Sequence, residues 1–140
     1  MIVVDASLAA KWFLEEAQSD AAGEILTQHS GEINVPDVML VEVTGALVRN
    51  ANMVKASRPD IVAALDRFGS LLSEGDLVAH RASPQAIRQS ADMAIAIGHP
   101  LKDCIYLALA MELGCELVTC DTRFAAKAKT VWAGVRVLGA

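Results

Sequence analysis

Five short runs of β-branched and aliphatic residues alternate with longer stretches rich in Ala and Leu, and that alternation constrains the fold more than any other feature of this chain. The runs are Met1–Val4, Ile33–Val35 (stopped by Pro36), Leu77–Ala79, Glu116–Thr119 and Val135–Leu138. The stretches between them read as helices: from Ser7, as the cap, to about Glu16; after Ser19 to His29; and Asp37–Asn52. Others run from Ser57 and Pro59 to about Leu72, from Ser83-Pro84 to about Ile97, over Leu101–Leu113, and over Arg123–Lys129. Gly98, Pro100 and Gly114 supply the stops. Strands separated by helices predict an α/β fold with a parallel sheet covered on both faces.

No linker, repeat or low-complexity tract interrupts the pattern, so residues 1–140 are expected to form a single domain. A chain that is 54% hydrophobic and 21% charged is not disordered. With only six Phe, Tyr and Trp residues, its core must be built from Ala, Val, Leu and Ile. No run approaches the roughly 18 apolar residues of a membrane span. No basic segment precedes the apolar start, so a cytoplasmic, non-membrane protein is expected. Cys104, Cys115 and Cys120 show no CxxC spacing and read as small apolar filler.

Ligands of parallel sheets bind beyond the carboxyl ends of the strands. Asp5 directly follows the first strand, and Asp121 follows the fourth after Cys120. Glu42 is the sole charge between Val38 and Val48, and Asp103 lies in the first turn of the most apolar helix. An isolated buried carboxylate costs several kcal/mol. Four of them in apolar settings therefore point to a shared cation, and to metal-dependent phosphodiester chemistry. Each acid also has a purely structural alternative. Asp5 and Asp121 fit helix caps, Glu42 fits a salt bridge with Arg49, and Asp103 suits a helix N-terminus. With Ser7 as the cap, Asp5 is left free to point over the sheet edge. Gly45, on the face of Glu42, reads as a place where another backbone approaches. His29, His80 and His99 share no ligand spacing, and His99 reads as a loop residue.

The formal charge of −5 is unevenly spread. Residues 1–48 carry one basic and eight acidic residues, whereas residues 49–140 have a net charge of +2. Any phosphate-contacting surface should therefore draw on the later cations, with Lys102, Arg123 and Lys127 as the first candidates. Trp12, Phe13 and Leu14 form a bulky cluster that suits either the core or a groove for a partner's apolar helix.

Taken together, Asp5-Ala6-Ser7, Pro36 with Glu42, the Lys102–Ala110 segment and the Val118–Phe124 segment resemble the PIN-domain ribonucleases, and among them the VapC-type toxins of toxin–antitoxin pairs. The resemblance spans nearly the whole chain. It implies a PIN-like three-layer α/β/α fold with a short, mostly parallel sheet, an endoribonuclease acting on RNA, a Mg²⁺ or Mn²⁺ ion, a homodimer and a small antitoxin partner. It maps the acidic quartet onto Asp5, Glu42, Asp103 and Asp121, with Ser7 and Thr119 as supporting hydroxyls. Asp5 and Asp103 are the expected direct metal ligands, with Asp121 joining directly or through water. Glu42 is expected to act through a water or a second ion. Thr44-Gly45 departs from the polar Asn often found near that position. Two rival readings are a receiver-like Mg²⁺-binding signalling domain and an inactive PIN-like scaffold. The receiver reading is weakened because Ala6, not a second acid, follows Asp5.

Overall fold

The computed structural model describes residues 1–139. Among them, β1 (Ile2–Val4), β2 (Ile33–Pro36), β3 (Leu77–His80), β4 (Glu116–Thr119) and β5 (Val135–Val137) form one sheet in the order β3-β2-β1-β4-β5. Every pairing is parallel, so the sheet is wholly parallel where a mostly parallel one was expected. The helices are α1 (Ala6–Ala9), α2 (Ser19–His29), α3 (Val38–Met53), α4 (Arg58–Ser73), α5 (Pro84–Ile97), α6 (Leu101–Leu113) and α7 (Thr122–Ala128). The arrangement is the three-layer α/β/α architecture that the alternating sequence predicts.

Ile2, Val3 and Val4 are all buried, and β1 sits at the centre of the sheet, with Val3 opposite Asn34 on one side and Leu117 on the other. From β1 the chain first builds outward through β2 and β3, then returns to add β4 and β5 on the other side. The order therefore reverses between β1 and β4. A crevice opens at such a reversal, beyond the carboxyl ends of the two strands. Asp5 and Asp121 leave the sheet at that point.

Helix α6 packs against β1, β2 and β4, and every residue from Cys104 to Ala110 is buried. A helix enclosed on all sides needs no polar face, which explains its sequence. Gly98 ends α5 in the left-handed region at φ 64°, and the chain bends by 115° through His99 and Pro100 into α6. That turn sets the first residues of α6 at the rim of the sheet. No single helix is long and apolar enough to cross a membrane.

The first helix differs most from expectation. It does not continue to Glu16: α1 ends at Ala9 and passes through a 3₁₀ turn, Ala10–Trp12. Packing overrides the local helical pattern. The Trp12 indole is buried and donates to the Ala22 carbonyl at 2.8 Å, while Phe13 meets Phe68 edge to face. Ser19 then holds the connection, accepting from the Glu16 amide and donating to the Leu14 carbonyl. Glu15 and Glu16 consequently lie in an exposed connection and not in a helix.

Candidate functional site

Asp5 is 2% exposed, and its surroundings use both carboxylate oxygens. Oδ1 accepts from the Ser7 hydroxyl at 2.7 Å and from the Leu8 amide at 3.1 Å. Oδ2 accepts from the Thr119 hydroxyl. Asp5, not Ser7, therefore caps α1, its Oδ1 taking the otherwise free Leu8 amide. Ser7 serves the carboxylate instead and receives the Cys120 amide on its own oxygen at 3.2 Å. Thr119 closes the network by accepting the Asp121 amide at 3.0 Å. Both hydroxyls thus tie the end of β1 to the end of β4. Burial pushes the Asp5 carboxyl up to about 6, and the nearby Asp103 charge adds to the rise. The three hydrogen bonds oppose it.

Asp121 caps α7 by accepting the Phe124 amide on Oδ1 at 2.9 Å. The structural role does not remove it from the crevice. One ligand atom each from His99, Asp103 and Asp121 lies within 4.8 Å of the others. His99 Nε2 is 2.6 Å from Asp103 Oδ2, with the imidazole only 8% exposed. Its ring stacks on Phe124, centroids 4.7 Å apart. His99 lies in the loop expected for it, but from there it contacts Asp103. The spacing of four residues to Asp103 was the available signal, since residues that far apart meet when the chain turns helically.

Glu42 borders the same crevice but is not one of these three ligands. Tyr106, fully buried on α6, donates its hydroxyl to Glu42 Oε1 at 2.8 Å, and Lys102 Nζ is 3.7 Å from Oε2. Burial, then the Glu42 carboxylate, push the Tyr106 phenol far above its ordinary range. Arg49 is not the partner of Glu42. Gly45 does not admit a neighbouring backbone either; the nearest group to its missing side chain is Arg49 Nη1. Tyr106 is a second residue whose part the sequence concealed, although a buried tyrosine hydroxyl usually finds a hydrogen-bond partner.

The model of the PIN domain family matches residues 2–130. The chain belongs to the PIN domain family. No curated protein matches it in sequence. Three solved structures share the PIN fold with it. A protein from Pyrobaculum aerophilum is 21% identical with a TM-score of 0.72, over 98% of this chain and 88% of that one. VapC20 of Mycobacterium tuberculosis, a toxin that cleaves the sarcin–ricin loop, is 16% identical with a TM-score of 0.72, over 97% and 99%. A toxin–antitoxin complex from Klebsiella pneumoniae is 18% identical with a TM-score of 0.69, over 96% and 95%.

The donor atoms of this PIN domain suit a divalent cation: carboxylate oxygens and one imidazole converge, and neither Asp5 nor Asp121 has a Lys or Arg within 4.0 Å among the described residues. The cations expected at the rim are partly engaged. Lys127 Nζ donates to the Gly98 carbonyl at 2.6 Å, which braces the His99 turn, and Lys102 faces Glu42. Arg123 is exposed on α7.

Proposed function

We propose that this PIN domain, residues 1–140 as one unit, is the toxin of a toxin–antitoxin pair: a Mg²⁺- or Mn²⁺-dependent endoribonuclease of the cytoplasm. The observation that carries this reading is the convergence of Asp103, Asp121 and His99 at the sheet's reversal point, beside the buried Asp5, with no Lys or Arg within 4.0 Å of the three acids among the described residues. Asp103 and Asp121, with Asp5 behind them, would hold the ion, and His99 joins them as a nitrogen donor or as a brace for Asp103. When bound, the ion offsets the clustered charge, polarises a phosphoryl oxygen and activates water. Ser7 and Thr119 hold Asp5 in one orientation. Glu42, steadied by Tyr106, offers an acceptor for a proton or a water at the edge of the crevice. Lys102 and Arg123 supply positive charge for the RNA backbone.

The VapC20 likeness and the Klebsiella complex support both the RNA substrate and the antitoxin. Phe13 and Leu14 are half-buried beside Arg67, whose guanidinium lies 5.0 Å over the Phe13 ring. They line the hollow to which we assign the antitoxin's apolar helix. A homodimer is part of the same proposal, and Val41 and Ile95, 74% and 82% exposed, are apolar residues it would cover.

The deciding experiment incubates the purified protein with mixed cellular RNA in Mg²⁺, in Mn²⁺ or with a chelator. Discrete fragments that depend on the ion are expected. Intact RNA in both metals, or cleavage indifferent to the chelator, overturns the proposal.

A further inference from the structure

A hollow of about 450 Å³ opens between α1 and α3, and Ser7, Glu42 and Asp121 of the acid site help to line it. Two cations line it as well, Lys11 and Arg49. They are not equivalent. Lys11 is 3.2 Å from Glu16, and its side chain is largely covered. Arg49 has no carboxylate within 4.0 Å among the described residues. Nor does Glu42 neutralise it, since Tyr106 and Lys102 already hold that carboxylate.

The sequence of α3 explains where the Arg49 guanidinium goes. Helical side chains lean toward the N-terminus of their helix, which carries Arg49 over residue 45 and toward residue 42. Residue 45 is glycine, and Arg49 Nη1 lies 3.5 Å from the place where a Cβ would stand. Glycine in a helix interior is destabilising relative to alanine. A Cβ here would be in ordinary van der Waals contact with Arg49 Nη1, so the guanidinium folds back along the flank of α3, beside the hollow. The result is a planar fork of donors, without an acidic partner, in the same hollow as two carboxylates of the site.

We infer that Arg49 binds a phosphate of the RNA strand next to the bond that is cleaved, and that the strand leaves the acid site along the α1–α3 hollow. This rests on the RNA-cleaving reading above. A strand whose reacting phosphate sits at an acidic cluster carries further phosphates on either side, and these need cations beyond the reach of the acids. Arg49 meets that need with two parallel donors, the geometry that suits a phosphate. Arg49 thereby joins Lys102, Arg123 and Lys127, the first candidates among the later cations, from the other side of Glu42.

The test measures binding of a fluorescent single-stranded RNA to the Asp103→Asn protein, alone and combined with Arg49→Ala or Arg49→Lys, over a range of salt concentrations with Mg²⁺ present. Arg49→Ala should weaken binding about tenfold or more, as expected for a lost charged contact. The slope of log affinity against log salt should become shallower by about 0.7, the contribution of one phosphate contact to a single strand. Arg49→Lys should restore the slope and only part of the affinity. RNA bound with an unchanged slope in Arg49→Ala overturns the inference, even if affinity falls, and leaves the enzyme reading standing. Failure of both the Asp103→Asn protein and the unmutated protein to bind RNA at low salt overturns both.

Discussion

Two carboxylates of the crevice, Asp5 and Glu42, are treated in opposite ways. Asp5 is sealed under the ends of β1 and β4, and its three hydrogen-bond donors are hydroxyls and an amide, none of them charged. Glu42 keeps a 17% exposed side chain on α3 and has Lys102 as well as Tyr106. Asp5 therefore remains electrostatically uncompensated, whereas Glu42 is compensated by the protein itself. Under the proposed function, the cation belongs on the side of Asp5, Asp103 and Asp121, and Glu42 would act on something that comes and goes.

The largest expected effect breaks the comparison from the metal side. Asp103→Asn should lower RNA cleavage by about a thousandfold, on the order of the several kcal/mol that a bound ion supplies. The metal-free variant should nevertheless melt above the unmutated protein, since one of three clustered carboxylate charges is gone. Full activity in a folded Asp103→Asn protein would show that the ion does not sit there. The next effect comes from Asp5. Its folded pKa of about 6 exceeds the ordinary 3.8, so the folded state holds the proton more tightly than the unfolded chain. The resulting stabilisation is complete below pH 3.8 and is lost as pH rises through about 6, on the order of 3 kcal/mol across that window. Urea midpoints measured with chelator should fall relative to Asp5→Asn between those values. Parallel profiles for the two proteins would refute the buried, raised carboxyl.

How much of this was legible depended on whether a residue's partner is close in sequence. The strands and α6 could be read because burial on all sides leaves only apolar residues, as in Ile2-Val3-Val4 and Cys104–Ala110. Asp5 and Asp121 stood out because parallel strands end at the site, and three-residue and four-residue strands leave little room for misplacement. What escaped depended on contacts across the chain. Trp12 ends α1 early through the Ala22 carbonyl. His99 reaches Asp103 only because Gly98 takes a left-handed turn and Phe124 offers its ring. The exchange of roles between Asp5 and Ser7 was hidden for a similar reason, since the Ser7 hydroxyl is fixed by the Cys120 amide, 113 residues away.

The smallest effect sharpens the comparison by testing its two braces together. His99→Ala removes the imidazole beside Asp103, and Tyr106→Phe removes the hydroxyl beside Glu42. If the ion belongs to the Asp5 side, His99→Ala should weaken Mn²⁺ binding by about 10- to 100-fold, the usual range for a residue that orients or joins a metal's ligands. Tyr106→Phe should leave Mn²⁺ affinity unchanged, because Glu42 keeps Lys102 and does not contact the ion. It should still lower kcat, by about fivefold if one hydrogen bond of roughly 1 kcal/mol is what aims Glu42 at its proton or water. Calorimetric titration with Mn²⁺ separates the two variants without any turnover. Equal losses of metal affinity in both would place Glu42 among the ligands and erase the distinction between a cation-requiring side and a self-compensated one.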